Sequence, residues 1–382
     1  MMNYIAQRPV DNFRISYSVY LGHFSFADNR IIVPRCLQTC LRLWLTVSRK
    51  GLTLALKAIA LVCLAVNFSL LSRLSGKLHK NGDIMTQLRK NILLDTDIGT
   101  DIDDTWALGL LLNCPELRPG FVLTATGDTL YRARLACRIL DEIGHSEVPV
   151  GVGIPTDFSH AACKQEAWLG NYQLGDYPGE VHQDGIQAAG EWLQRTEAAT
   201  VISIGPLTNV AALCARHPDL IARCHLISML GSIAKGHRDA EGVISEYNVR
   251  GDIPGAQAVF KAPWKSVTIT PLDSCGNIVL AGERYQRFLA SNRPIPRCIR
   301  ENYSVWRKQD AASPPLQSSV LFDTVAIYLA FAEELLVMRE LNIEIDDAGF
   351  MRETAAGRPV RTALDWKDKE AYLDLLLERL LA

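Results

Sequence analysis

Five aspartates fall within ten residues, Asp95-Thr96-Asp97-Ile98-Gly99-Thr100-Asp101-Ile102-Asp103-Asp104. The run lies between the apolar stretches Ile92-Leu93-Leu94 and Trp106-Ala107-Leu108-Gly109-Leu110-Leu111-Leu112. A short apolar run, a tight polar loop and a longer apolar run read as strand, loop and buried helix. Carboxylates packed this closely repel one another unless a cation or shared protons hold them. A divalent metal with oxygen ligands is the simplest way to stabilise such a loop.

Downstream, short apolar runs alternate with helical patterns. Strands are predicted at 91–94, 121–124, 148–151, 200–204, 225–230 and 266–270. Helices are predicted at 104–112, 131–143, 185–195, 208–215, 254–260, 324–336 and 369–380. This alternation implies an α/β fold, a three-layer αβα sandwich around a mainly parallel, Rossmann-like sheet. Ligands of such sheets bind beyond the carboxyl ends of the strands. The acidic loop lies at one such end. Gly127-Asp128, Gly205-Pro206-Leu207-Thr208-Asn209 and Leu230-Gly231-Ser232 lie at others. The stretch 291–316, rich in proline and polar residues, reads as a loop-bearing insertion.

The formal net charge of −2 conceals an asymmetry. Residues 1–84 carry 11 Lys/Arg and 3 Asp, so of the chain totals of 40 basic and 42 acidic residues, 29 and 39 remain for 85–382. An acidic domain is a poor nucleic-acid surface. It suits a cation or a small neutral or cationic ligand. Ten cysteines without CxxC spacing suggest neither a zinc site nor a disulfide framework, which points to reduced core thiols and a cytoplasmic protein.

The chain divides into a basic extension, 1–84, and a domain, 85–382. Within the extension, residues 52–72 are apolar and about as long as a membrane helix. Three readings compete: a membrane anchor, a buried helix, or translated sequence upstream of a start at Met85. The third is preferred, because Met85 directly precedes the strand that carries the acidic loop. Membrane contact is expected only if the segment is real.

Duller explanations of the loop fail. An EF-hand counted from Asp95 needs a bidentate Glu at its twelfth position, which is Trp106. A haloacid-dehalogenase-type phosphatase wants Thr or Val where Gly99 stands, and has no place for Asp103-Asp104. Helix capping explains one carboxylate, not five.

Asp95-Thr96-Asp97-x-Gly99-x-Asp101-x-Asp103-Asp104-x-x-Ala107-Leu108 resembles the N-terminal signature of the inosine–uridine-preferring nucleoside hydrolases. Four later blocks agree in order. Gly205-Pro206-Leu207-Thr208-Asn209 resembles a G-[PG]-L-T-N turn, and Met229-Leu230-Gly231-Ser232 an M-G-G strand end. Glu246-Tyr247-Asn248 with Asp252-Ile253-Pro254-Gly255-Ala256 resembles E-F-N…D-P-E-A-A, and Phe322-Asp323-Thr324-Val325-Ala326 an H-D-x-x-A-V segment. The resemblance implies Ca²⁺-dependent hydrolysis of the N-glycosidic bond of ribonucleosides, a role in nucleoside salvage or catabolism, and assembly as a dimer or tetramer. It implies Asp97 as metal ligand and general base. Asp104, Asp323 and the backbone carbonyl of Ile204 would be further ligands. Asp103, Glu246 and Asn248 would hold the ribose.

The chain also departs from the pattern. The loop is two residues longer than the commonest form, so Asp101 competes with Asp97 as ligand or base. Asp128 replaces an Asn expected at the sugar, and Ala240 another. Phe322 replaces a His credited with protonating a leaving purine. His182 and His237 are the candidates to supply that proton. Trp168 and Trp306 are candidates to stack on the base, or else close the core. The alternative function is a ribose- or nucleoside-binding relative that keeps the metal without proficient chemistry.

Overall fold

The computed structural model describes residues 89–308 and 315–382. Expectations for residues 1–84, including the apolar segment 52–72, lie outside these. Among the described residues, no helix is long and apolar enough to cross a membrane.

A ten-stranded sheet forms the middle layer, in the order β4-β3-β2-β1-β5-β6-β7-β10-β8-β9. The strands are β1 (Lys90–Thr96), β2 (Leu117–Thr124), β3 (Val150–Val152), β4 (Val181–His182), β5 (Thr200–Ser203), β6 (His225–Met229), β7 (Ser266–Thr270), β8 (Leu336–Ile345), β9 (Met351–Glu353) and β10 (Arg358–Trp366). The pairs from β4 through β7 to β10 are parallel, and β8 and β9 continue the sheet antiparallel.

Both faces of the sheet are covered, and β1 shows why its sequence is apolar without alternation. Ile92 and Leu94 enter one core with helices Asp103–Asn113, Thr129–Ile143, Pro294–Arg307, Thr324–Leu329 and Lys369–Leu380. Leu93 enters the other, with helices Gly185–Arg195, Thr208–Arg216 and Ile253–Lys261. A central parallel strand needs this, because its side chains alternate between two buried faces.

Chain order reverses at β1: β2, β3 and β4 lie on one side, and β5, β6 and β7 on the other. The loops that leave β1 and β5 therefore diverge and open a crevice at the carboxyl ends of the strands. The Ile204 amide donates to the Asp95 carbonyl across this point, at 2.9 Å.

Two sequence expectations need correction. Residues 291–316 are not mainly loop, since Pro294–Arg307 is a helix. Pro294 and Pro296 sit in its first turn, where a backbone N–H would be unpaired anyway, so they start the helix instead of breaking it. The helix predicted over 324–336 ends at Leu329, and β8 begins at Leu336. The antiparallel extension β8–β10 was not anticipated. It matters to the site, because the β8–β9 turn delivers Phe350 to the cavity wall.

Candidate active site

The acidic loop is shaped from below. Arg132, buried on helix Thr129–Ile143, turns its guanidinium up under the loop. It donates to the carbonyls of Thr126 (2.6 Å), Ile98 (2.9 Å) and Asp97, and to the Thr100 hydroxyl (2.7 Å). The loop's carbonyls thus face a cation, while its carboxylates are left to face the cavity. Gly99 makes the turn at φ +112°, and a Cβ there would lie 2.6 Å from the Tyr131 ring. Gly205 is also confined, since a Cβ would meet Asp97 at 3.0 Å. Trp306 buttresses the loop from helix Pro294–Arg307, donating its indole N–H to the Thr100 carbonyl at 3.2 Å.

A cavity of about 770 Å³ opens above this loop. Asp97, Asp101, Asp103, Asp104, Ile204, His237, Glu246, Asn248 and Asp323 all line it. Asp103, Asp104 and Asp323 converge from segments some two hundred residues apart, and each offers a carboxylate oxygen within 4.8 Å of the others'. Asp323 stands at the start of helix Thr324–Leu329 but makes no capping hydrogen bond, so capping does not explain it. Asp97 is buried, whereas Asp101 is exposed at the rim, its carboxylate accepting from the Ile102 amide at 3.0 Å.

Burial dominates the electrostatics. It pushes the Asp97 carboxyl up to about 6, against the opposing pull of Arg132 and with the further push of Asp101. Asp103, Asp104 and Asp323 are held well above the ordinary carboxylate range, first by burial and then by neighbouring carboxylates. Among the described residues, none of these four has a salt-bridge partner. Crowded, buried, hard oxygens without a counter-ion fit a divalent cation. Asp95, by contrast, faces away: it accepts from Ser203 (2.9 Å) and Asn209 (2.8 Å) and ties β1 to β5 and its following helix.

Across the cavity, Glu246 caps helix Tyr247–Gly251, accepting from the amides of Asn248 (2.9 Å) and Val249 (3.3 Å). It also accepts from Gly231 N–H at 3.0 Å, and burial pushes it up to about 7. The Asn248 side-chain Nδ2 donates to the carbonyls of Ile204 (3.3 Å) and Met229 (3.0 Å) and so fixes the direction of the Ile204 carbonyl. His237 meets Phe322 edge-on at 5.7 Å. Burial, then Arg250 and Arg238, hold its pKa below the usual histidine value. The His237 loop is anchored by Asp273, which accepts from the amides of Ile233 (2.8 Å), Ala234 (2.8 Å) and Lys235 (3.1 Å).

Other predicted residues lie elsewhere. His182 is on the edge strand β4, stacked on Phe121 at 5.8 Å and 3.5 Å from Glu180, outside the cavity lining. Asp128 is exposed and caps helix Thr129–Ile143 through the Tyr131 amide (2.9 Å). Trp168 is buried in the core beneath Arg138. Trp306 supports the loop and does not line the cavity. Sequence reasoning missed Arg132, Tyr247, His160, Lys164, Arg250 and Phe350. Arg132 and Phe350 carried no signal, being a basic residue within an amphipathic helix and an apolar residue in a hairpin turn.

The model of the family described as inosine-uridine preferring nucleoside hydrolase matches residues 92–374. A pyrimidine-specific ribonucleoside hydrolase of Shewanella sp. (strain ANA-3) is 29% identical over 223 residues, covering 56% of this chain and 69% of the relative. A probable uridine nucleosidase 2 of Arabidopsis thaliana is 23% identical over 275 residues, covering 69% of this chain and 84% of the relative. The structure of a purine-preferring ribonucleoside hydrolase from Gardnerella vaginalis superposes with a TM-score of 0.62 at 20% identity, covering 76% of this chain and 98% of the other. That structural likeness speaks for the fold.

Proposed function

We propose a reaction course from one premise: this chain belongs to the inosine-uridine preferring nucleoside hydrolase family, and it is a nucleoside hydrolase. The proposed reaction is cleavage of the N-glycosidic bond of a ribonucleoside to ribose and free base. The observation that carries the reading is the convergence of Asp103, Asp104 and Asp323 on the cavity at the point where chain order reverses.

Breaking the C1′–N bond builds positive charge on the ribose ring. A floor of carboxylates fixed in place before reaction stabilises that charge without reorganising. Asp97 takes a proton from the attacking water as its oxygen bonds C1′. Between the two acidic candidates, burial favours Asp97 over the exposed Asp101.

Asp97, Asp104, Asp323 and the Ile204 carbonyl would hold a divalent cation, for which we propose Ca²⁺. Bound there, it would acidify the water and orient the sugar. Asp103 and Asn248 would contact the ribose hydroxyls, with Glu246 holding the wall that carries Asn248. The departing base needs a proton on its ring nitrogen. His160 and His237 line the cavity and His182 does not, and we assign that donation to His237, which lies against Phe322. Phe322 and Phe350 form the apolar wall suited to a base.

The test is release of reducing sugar from a panel of purine and pyrimidine nucleosides, with and without chelator, on wild type and Asp97→Asn. Hydrolysis abolished by chelation and by the substitution supports the reading. Cation and nucleoside binding without sugar release would refute it in favour of the non-catalytic binder. Sedimentation would decide the expected homo-oligomer.

A further inference from the structure

The cavity is acidic at its floor and basic at its mouth. The segment 158–164 begins against helix Tyr247–Gly251, where Phe158 meets the Tyr247 ring edge-on at 5.0 Å. It ends on the acidic loop, where the Lys164 amide donates to the Gly99 carbonyl at 2.9 Å. Along it stand His160, edge-on to Phe158 at 5.4 Å, and Lys164, whose ammonium lies 5.9 Å from the centre of the Trp306 ring. Arg250 belongs to the helix at the other end, near enough for its charge to bear on His237. His160, Lys164 and Arg250 are exposed, and all three line the cavity. Neither Lys164 nor Arg250 has a salt-bridge partner among the described residues. Asp101, the acid of this rim, has its carboxylate on the Ile102 amide at 3.0 Å.

Two such cations at one mouth run against the charge of a region with 39 acidic and 29 basic residues. A neutral nucleoside gives them nothing to bind, since neither its ribose nor an ordinary base carries a formal charge at neutral pH. A phosphate does. Ammonium and guanidinium groups hold phosphate oxygens through charge-assisted hydrogen bonds, and the fork of Arg can take two oxygens at once. A phosphate seated at the exposed mouth also keeps part of its hydration and stays clear of the aspartate floor, which would repel it.

We propose that the preferred substrate is a riboside phosphorylated on its pentose, with Lys164 and Arg250 as the specificity-determining residues that hold the phosphate. This rests on the hydrolase reading above and narrows its substrate class. Arg250 lies two residues beyond Asn248, the side chain assigned to the ribose hydroxyls, so the cations continue the sugar side of the site. The reaction is unchanged: water bonds C1′, the C1′–N bond breaks, and the products are the phosphorylated pentose and the protonated base. The phosphate ester stays intact.

The experiment measures kcat and KM for a ribonucleoside and for its 5′- and 3′-monophosphates on the full-length protein. It compares wild type, Lys164→Ala, Arg250→Ala, the double variant, and the charge-keeping Lys164→Arg and Arg250→Lys. In wild type, one monophosphate should exceed the nucleoside in kcat/KM by about tenfold, mainly through KM. Each alanine variant should cut that ratio about threefold and the double variant should remove it, whereas the charge-keeping variants retain most of it. The ratio should also fall as salt is raised. Whichever ester is preferred shows which hydroxyl carries the phosphate, and either supports the proposal. Equal losses on nucleoside and monophosphates would show that the cations serve the site as a whole, and would overturn it. A wild type that turns over none of the three sinks the hydrolase reading and this inference with it. A wild type that hydrolyses the nucleoside as well as or better than both esters sinks this inference alone.

Discussion

Removing divalent cation should change not only the stability of this protein but the sign of its pH dependence. Without a cation, Asp97 has an ordinary value of 3.8 when unfolded and about 6 when folded. A folded value raised above the unfolded one stabilises fully below the unfolded pKa and is lost as pH rises through the folded one. The gap corresponds to roughly 3 kcal/mol, lost between about pH 4 and pH 7. Asp103, Asp104 and Asp323 are shifted in the same direction and add to the slope. With a bound cation the same carboxylates are ionised in the folded state. Their folded values then fall below the unfolded ones, and stability is lost as pH falls. A cation at a hundred times its dissociation constant adds about 2.7 kcal/mol. At roughly 2 °C per kcal/mol for a domain of this size, that is a rise of about 5 °C. The assay is differential scanning calorimetry in EDTA and in millimolar Ca²⁺ at pH 5, 6, 7 and 8. The cation-dependent increment should grow with each step. An increment equal at pH 5 and pH 8, or absent for Ca²⁺, Mg²⁺ and Mn²⁺ alike, would refute the reasoning.

Three further outcomes are expected. Asp323→Asn should abolish Ca²⁺ binding by isothermal titration while leaving the circular dichroism spectrum unchanged, because its side chain caps no helix. His237→Gln should reduce kcat at least a hundredfold on substrates with poor leaving bases and less on activated ones, whereas His182→Gln should leave kcat within about twofold; equal effects would remove His237 as the acid. Arg132→Met should destabilise the free protein by roughly 3 kcal/mol in urea unfolding, since it leaves the buried carbonyls of Thr126, Asp97 and Ile98 and the Thr100 hydroxyl without their donor. A loss below about 1 kcal/mol would show that the loop holds its shape without it.

The parallel core was legible in sequence because a strand buried on both faces has to be apolar throughout, as Ile92-Leu93-Leu94 are. The acid cluster was legible because five close carboxylates have few explanations. What escaped notice depends on tertiary position. The first half of β8, from Leu336 to Glu340, does not alternate, so only the short stretch Leu341-Asn342-Ile343-Glu344-Ile345 announces a strand, and Pro294 reads as a break until its place in a first turn is known. His182 and His237 look alike in sequence, yet only His237 lies on the cavity, its loop pinned by three amides on Asp273. Trp168 and Trp306 illustrate the same limit: one is buried in a core and the other braces a loop, and sequence separates neither from a stacking platform.

The turn between β8 and β9 is closed by its own bonds and by Gln257, which donates to the Ile345 carbonyl at 3.1 Å and to the Asp347 carboxylate at 3.0 Å. Asp346 accepts from the amides of Ala348 (3.0 Å) and Phe350 (2.9 Å), and its own amide donates to the Phe350 carbonyl at 3.0 Å. Nothing in that bonding draws on the aspartate floor. The aspartate floor and the late hairpin that brings Phe350 to the cavity are thus separate pieces of the chain. Phe350 is the one residue of this turn on the cavity, whereas Met351 beside it is buried in the core against Gly231, so a change of the cavity wall made at Phe350 alone leaves the core packing of the hairpin in place.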